Sequence, residues 1–450
     1  MAGMDVARVN LSHGSFDEHK NTIRVIKSLG NVAVLVDLPG PKIRLGELKQ
    51  PVFVKPGDIV KFTVNEPIGE GLKFPVNYVN LPAEVRIGGH VFINDGLIDV
   101  EVVKIEADLC GFDGKVISGG EVSSRKGVNA PGASLSIRPP TEQDQKGIAF
   151  GVEMGADWFA ASFIRDRRDV EAVKNIVDES DGDQPVISKI EHAEAIMNID
   201  EIISASDGVM VARGDLGIEV PPWEVPLLQK RIISKCNEAG KPVIVATQML
   251  ESMVENPRPT RAEASDVANA ILDGADAIML SEETAIGSYP IEAVRAMESI
   301  SKVVESNLNL RKTLQLREGQ QIADVIGGLA SMAVDAVNPA AIIVVTRSGF
   351  SSLMVSKYRP RSRILVVAKE QRIARRVRLF WGVEPIDVQW TDDRDELIIR
   401  SVNRCLRDNY LKDSDTIMIV SGSTLESPGR TSTLEILKVR DIQYHARRKD

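Results

Sequence analysis

The chemical content of this sequence is concentrated in a few short polar segments, each following an apolar run. "SKIE" places Lys189 two residues before Glu191, and "VARGDLG" supplies Arg213, Gly214 and Asp215. A pair of carboxylates suits Mg²⁺, which takes one or two from a protein and keeps its other positions for water and substrate oxygens. The ammonium of Lys189 can neutralise charge developing on an enolate or on a phosphoryl group in transfer. "RGDLG" can open a helix whose first N–H groups hold a carboxylate. "VARVNLSH" adds Arg8, Asn10, Ser12 and His13, and "VDLPGPKIR" adds Asp37, Lys42 and Arg44. The guanidinium forks of Arg8 and Arg44 can bridge phosphate oxygens. "ATQML" and "LSEET" contribute hydroxyls at Thr247 and Ser281. Singly these are ordinary: Lys-x-Glu is usually a surface pair, and an acid at a strand end is often a helix cap. Together they describe a Mg²⁺-assisted site for a phosphorylated acid. No GxxxxGK[ST] occurs, which excludes a Walker-type nucleotide site.

Such residues need a frame that brings them to one place. Short apolar, β-branched runs at 6–10, 32–37, 158–163, 186–190, 208–213, 242–248 and 277–281 read as strands. They alternate with helical patterns such as 169–178 and 290–306, which carry apolar residues at three-to-four spacing. Near-continuous hydrophobic strands alternating with helices predict a parallel sheet covered on both faces. The reading is an α/β chain built on a (β/α)8 TIM barrel with seven units visible. Every polar segment above then falls at a strand C-terminus, the end where barrel active sites are built. From 45 to 125 the pattern changes to short alternating strands bounded by Gly, Asp and Pro, which predicts a small antiparallel β lid domain inserted after a barrel strand. Past about 312 the α/β alternation resumes, with a helix at 322–337 and strands at 341–346, 364–368 and 416–421. The expected division is barrel over 1–44, lid over 45–125, barrel again over 126–311, and an open α/β domain over 312–450.

Composition restricts the alternatives. The chain has 450 residues, 43% of them hydrophobic, enough to bury several cores. A net charge of −9 argues against bulk attraction to nucleic acid or to an anionic membrane. No run of about 18 apolar residues and no signal peptide are present, so a cytoplasmic protein is expected. Cys110, Cys236 and Cys405 are odd in number and far apart, which fits three unpaired thiols. The five histidines never occur as HxH or HExxH, which argues against a transition-metal site. The cationic run from Arg372 to Arg378 reads as one solvated helix face.

"ARVNLSHG", "SKIE", "VARGDLGIE", "NEAGKPVIVATQMLESM" and "NPRPTRAEASDVANAILDGADAIMLS" resemble the pyruvate kinase family. The resemblance covers essentially the whole chain, including "INDGLI" and "RKGVNAPG" around the lid. It implies phosphoryl transfer from phosphoenolpyruvate to ADP, giving pyruvate and ATP as the last step of glycolysis. Glu191 and Asp215 would hold Mg²⁺, with Mn²⁺ as a substitute, and Lys189 would stabilise the transition state. Gly214, Asp215 and Thr247 would hold the substrate carboxylate, and Arg8 the phosphate. Arg44 would contact the transferring group and the nucleotide. Asn10, His13, Asp95 and Lys126 match nucleotide-side positions, and Thr247 and Ser281 the proton route to the enolate carbon. The lid would close to exclude water.

In potassium-dependent members a monovalent cation sits at positions matching Asn10, Ser12, Asp37 and the Leu38 carbonyl. Those members carry glutamate where this chain has Lys42. An ammonium has the charge of K⁺, so Lys42 is expected to replace the ion and make K⁺ unnecessary. The resemblance also implies a homotetramer and a phosphorylated allosteric effector, its phosphate held by Thr346, Arg347, Ser348, Gly349 and Ser351. The loop "SGSTLESPGRTST" lacks the aromatic residues of sugar-bisphosphate-regulated members. Family members normally have one more βα unit before "MAGMDVARVN", the same gap seen in the strand count. Glu282 follows Ser281 where many members have glycine. Two other readings stand beside this one: a Mg²⁺-dependent lyase or aldolase acting on a pyruvate enolate, and an inactive phosphometabolite-binding protein.

Overall fold

The protein is described from a computed structural model covering residues 2–133, 135–307, 320–422 and 431–446. Seven parallel strands form one sheet in sequence order: β1 Val6–Asn10, β2 Ala33–Asp37, β3 Trp158–Ala161, β4 Val186–Ile190, β5 Gly208–Ala212, β6 Val243–Ala246 and β7 Ala277–Ile278. All seven expected strands are present, in one parallel sheet that follows sequence order. Their buried residues alternate between two cores, as a pleated strand requires. One face, with Val34, Val36, Phe159, Val186, Val209 and Val243, packs on Ile23, Ile148, Val173, Ile232 and Val267 from the covering helices. The other face carries Leu35, Trp158, Ala160, Ile187, Met210 and Ile244. Three helices begin with reciprocal caps, Ser15 with Glu18, Thr141 with Asp144, and Thr260 with Glu263.

The strand starts follow a repeated rule. Asp157, Asp207 and Asp276 each stand one residue before β3, β5 and β7. One carboxylate oxygen of each accepts an N–H at the start of the preceding strand: Val34 at 2.9 Å, Val186 at 2.9 Å and Val243 at 3.0 Å. A cation takes the other oxygen: Arg375 at 3.0 Å, Lys174 at 2.9 Å and Arg359 at 2.8 Å. These acids tie the end of the sheet opposite the candidate site.

Two of those cations come from the C-terminal domain, and the run at 372–378 is a correction to the sequence reading. It is not a solvated face. Arg375 pairs with Asp157, Arg376 and Arg372 with Asp183, and Arg378 with Asp5. Trp158 lies edge-on to Phe380 and its indole N–H donates to the Arg376 carbonyl at 3.2 Å. The second face of the sheet and the C-terminal domain accordingly share one apolar cluster, including Ile342, Val344, Ile364 and Val366. Removing one partner of a buried ion pair such as Arg359–Asp276 costs on the order of 3–5 kcal/mol. This run is a clamp between domains.

The C-terminal sheet runs Val383–Pro385, Arg363–Ala368, Ala341–Thr346, Thr416–Gly422 and Thr431–Lys438, parallel except for the last strand. The helix Ile322–Val337 packs against it. Most of the loop "SGSTLESPGRTST" lies outside the described residues.

The inserted unit has a six-stranded sheet around Phe62, Phe74 and Phe112. That sheet is antiparallel save for Ile59–Thr63 with Lys73–Pro75, and a short pair beside it, Glu47–Leu48 with Ile68–Gly69, is parallel too, so the expected antiparallel unit is corrected at these two pairs. Its apolar cluster takes in Ile43 and Leu45 and reaches Val128, Ala130 and Ile137, past the expected limit at 125, because Val128–Asn129 pairs with His90–Ile93. The three cysteines are unpaired thiols. Among the described residues no helix is long and apolar enough to cross a membrane.

Candidate active site

The centre of the site is a buried chain of alternating charges at the ends of β1, β2 and β4. Asp37, the last residue of β2, accepts a hydrogen bond from Arg8 Nε at 2.6 Å and faces Lys189 Nζ at 3.2 Å. Lys189 Nζ lies 2.9 Å from Glu191 Oε1 and donates to Ser162 Oγ at 2.7 Å. Ser162 Oγ donates in turn to the Leu38 carbonyl at 2.7 Å. Glu191, 1% exposed, also accepts the Phe163 N–H at 2.7 Å. Parallel register brings these groups together: Asn10 pairs with Asp37 and Ala161 with Ser188, so the strands end at one level.

Burial sets the electrostatics. It opposes charge on Asp37, but Lys189 and Arg8 outweigh it and hold the carboxyl below the usual range. Burial also opposes charge on Lys189, and Asp37 and Glu191 reverse the effect, so the ammonium is held charged more firmly than a free lysine. For Glu191 burial wins with help from the nearby Asp215 charge, and the carboxyl is pushed up despite Lys189. Two acids crowded together with one partly desolvated are what a divalent ion relieves. Among the described residues no group of three or more His, Cys, Asp or Glu side chains could hold a metal. Glu191 and Asp215 are acids of the kind and number that Mg²⁺ takes from a protein, leaving its other positions to water and substrate.

Asp215 lies in the first turn of the helix Arg213–Glu219, and Lys42 Nζ lies 3.5 Å from its Oδ1. Lys42 therefore sits at Asp215 and not at Asp37, whose charge Arg8 and Lys189 already balance. Thr247 has a left-handed backbone, φ 68°, and its Oγ1 accepts the Gly214 N–H at 2.8 Å. Arg213 braces that turn by donating to the Thr247 carbonyl at 2.7 Å while paired with Asp266. Glu283, buried, accepts the Leu250 N–H at 3.0 Å and the Ser281 N–H at 2.6 Å, tying the turns that carry Thr247 and Ser281. Glu282 is exposed.

The lid reaches this cluster. Asp95 has φ 55°, and a β-carbon on Gly96 would lie 3.8 Å from Ile218 in the Asp215 helix. A β-carbon on Gly127 would lie 3.3 Å from Lys42 Cε and 3.7 Å from Asp95 Oδ1. Arg44 pairs by backbone with Gly127 and donates to the Arg125 carbonyl at 3.2 Å, which places it beside Lys126. Asn10 accepts the Ser12 N–H at 3.1 Å, and His13 is exposed just beyond. In the C-terminal domain, the Gly349 N–H donates to Thr346 Oγ1 at 3.0 Å, Ser351 Oγ lies 2.5 Å from Thr431 Oγ1, and Arg347 meets Asp392 at 3.2 Å.

Ser162 and Phe163 are absent from the sequence reading, although Ser162 directly follows β3 and is a hydroxyl at a strand end like those of the chosen segments. Phe163 takes φ 57°, rare for a bulky residue, and so aims its N–H at Glu191. Gly40, at φ 68°, permits that turn: a β-carbon there would lie 2.7 Å from Ser162 Cβ and 2.8 Å from Phe163 Cδ2. Gly40→Ala is expected to destabilise the protein by about 2–3 kcal/mol and to lower kcat about tenfold or more by displacing Ser162 from Lys189. Denaturant unfolding and steady-state assay of the same preparation check both.

Comparison with known proteins shows the family. The family model "Pyruvate kinase, barrel domain" matches residues 1–294, and "Pyruvate kinase, alpha/beta domain" matches 324–437. The chain is 42% identical over 451 residues to the pyruvate kinase of Bacillus licheniformis and 40% over 451 to that of Geobacillus stearothermophilus. It is 40% identical over 449 residues to that of Staphylococcus aureus. Each match spans 98% of this chain and 77% of the relative.

Proposed function

This chain belongs to the pyruvate kinase family, the enzymes that move the phosphoryl group of phosphoenolpyruvate to ADP, and we propose that the transfer runs at the Arg8–Asp37–Lys189–Glu191 chain beside Asp215. The observation that carries the reading is Lys189. It is buried, held charged by two acids, and aimed at the space between them.

Glu191 and Asp215 hold the Mg²⁺ of the reaction, which when bound offsets charge on the phosphoryl and enolate oxygens. Lys189 places its ammonium where negative charge grows as the bond to the phosphoryl group breaks. Arg8, fixed by Asp37, orients the phosphate. The first turn of the Asp215 helix and Thr247 orient the substrate carboxylate, and Thr247 and Ser281 pass a proton to the enolate carbon, through water. Arg44 and Lys126, with Asp95 on the lid and Asn10 and His13 after β1, take the nucleotide side. Lid closure excludes water from the transfer. The Thr346–Ser351 loop takes a phosphorylated effector, and the enzyme works as a cytoplasmic homotetramer. The carbon–carbon lyase alternative is set aside by family membership.

Potassium is unnecessary in this reading. The Leu38 carbonyl is already engaged by Ser162, Asp37 is balanced by two cations, and Lys42 brings a further positive charge into the site. Pyruvate release from phosphoenolpyruvate, with ADP, Mg²⁺ and K⁺ omitted in turn at constant ionic strength, tests the whole assignment. Loss of ADP or Mg²⁺ should abolish turnover. Exchange of K⁺ for a bulky ammonium salt should leave the rate within about threefold, because a tethered ammonium has the charge of the ion. A large loss without K⁺ removes the Lys42 argument, and no turnover at all supports the inactive binding protein.

A further inference from the structure

The turn that follows β6 is held in a costly shape from both sides. Thr247 and Gln248, consecutive and neither of them glycine, take φ 68° and 54°. For a β-branched residue such as Thr247, that left-handed backbone persists only where the surroundings impose it. From the β5 side Arg213 donates to the Thr247 carbonyl at 2.7 Å and to the Ala246 carbonyl at 3.3 Å, and the Gly214 N–H reaches Thr247 Oγ1 at 2.8 Å. From the β7 side a single side chain reaches across. Glu283, in the short helix Glu282–Ala285, accepts the Leu250 N–H at 3.0 Å with one carboxyl oxygen and the Ser281 N–H at 2.6 Å with the other.

Glu283 is 2% exposed. A carboxyl group withdrawn from water needs hydrogen-bond partners, and here both oxygens are engaged by backbone donors of two different connections. Leu250 stands three residues after Thr247, and Ser281 two before Glu283. One side chain therefore fixes both the connection that carries Thr247 and the connection that carries Ser281. A backbone bond further along, from the Ser288 N–H to the Val254 carbonyl at 2.8 Å, joins the same two connections without Glu283. That bond keeps the segments together at a distance from Thr247, whereas Glu283 acts nearer to it. The phosphoryl end of the site is anchored elsewhere, by Asp37 on Arg8 and by Glu191 on Lys189.

We propose that Glu283 is a positioning residue for the proton step: by holding the Leu250 and Ser281 N–H groups it keeps Thr247 and Ser281 aligned as one route to the enolate carbon. The inference rests on the assignment of those two hydroxyls to that route. Run in reverse, the step breaks a C–H bond of the pyruvate methyl group; the proton leaves along the route and the electron pair stays in the enolate. Reprotonation restores the C–H bond, so in heavy water the methyl group gains deuterium. Deuterium uptake followed by nuclear magnetic resonance, with saturating pyruvate, Mg²⁺ and ATP, reads this step. ATP formation from phosphoenolpyruvate and ADP reads phosphoryl transfer. Glu283→Ala should slow exchange about tenfold or more, because a displacement of about 1 Å can cost up to about 10²-fold. ATP formation should fall by about threefold or less, since the groups that act on the phosphoryl group keep their anchors. Glu283→Gln keeps one acceptor oxygen but turns its amide nitrogen toward the other backbone donor, and should show an intermediate loss. Should Glu283→Ala fail to fold, Glu283→Gln, of the same shape, carries the test: its exchange should fall at least about threefold more than its ATP formation. Adding Ser281→Ala to Glu283→Ala should slow exchange little beyond Ser281→Ala alone, since one residue acts through the other.

Ser281→Ala and Thr247→Val serve as controls. If neither slows exchange, the proton route itself is misassigned and the inference goes with it. If either slows exchange while Glu283→Ala and Glu283→Gln stay within about twofold of the parent, the positioning role alone is overturned, because misplacement ordinarily costs more. Equal losses of exchange and of ATP formation also overturn it, since Glu283 would then support the fold as a whole and not the proton step. Multiplying losses in the double variant do the same.

Discussion

Glu191→Ala is expected to lower kcat/KM by at least about 10³-fold, since it removes both a metal ligand and the partner that holds Lys189. Asp215→Ala should act through the metal alone and fall in the same range. The difference between the two variants is informative. Glu191 Oε1 lies 2.9 Å from Lys189 Nζ and its other oxygen accepts the Phe163 N–H, so its loss leaves a buried donor unsatisfied. That costs on the order of 1–3 kcal/mol of stability. Asp215 is partly exposed and paired only loosely with Lys42 at 3.5 Å, so its replacement should cost little stability. A continuous assay of pyruvate release and denaturant titration of each variant check the pair of expectations. Near-parental turnover in a folded Glu191→Ala protein would sink the assignment.

Lys189→Met is expected to lower kcat by about 10²–10³-fold with a smaller change in KM, because its charge matters most when the phosphoryl group is in flight. The substitution should also destabilise the fold. Asp37 and Glu191, both buried, would lose the cation they share, and breaking a buried pair on one side costs on the order of 3–5 kcal/mol. The sign of the pH dependence follows from Asp37. Its carboxyl is held below the ordinary value, despite burial, by Lys189 and Arg8. It therefore contributes stability above the unfolded pKa of about 3.9, which is lost as pH falls through the lower folded value. Without Lys189 that contribution shrinks. The deficit of Lys189→Met should be full at neutral pH and narrow progressively in acid below about pH 4, as Asp37 protonates in both states. Unfolding curves of parent and variant at several pH values measure the gap directly. A gap that stays constant on acidification would mean that Lys189 does not stabilise Asp37.

The reading of the bare chain was most successful where the physics is local. Strands such as Val186–Ile190 and Gly208–Ala212 are apolar on both faces, and that pattern belongs to parallel strands covered twice. Lys189, Glu191, Gly214, Asp215 and Thr247 could be named because each closes such a run, and a barrel gathers strand ends at one mouth. Ser162 meets the same criterion, but its small hydroxyl is hidden inside the longer apolar run 158–163.

What escaped depends on partners remote along the chain. Arg375 and Asp157 are separated by 218 positions and Arg378 and Asp5 by 373; a run of arginines has the same local pattern whether solvated or buried against acids. Nor does any spacing announce that Lys42 reaches Asp215, that Gly40 makes room for Ser162 and Phe163, or that Glu283 reaches Leu250. Periodicity and turn preference are properties of neighbouring residues and survive in a linear text. The strength and sign of a charge's effect depend on how dry its surroundings are and which opposite charge stands within a few ångströms, and both are set only once the sheet, lid and C-terminal domain have closed on one another.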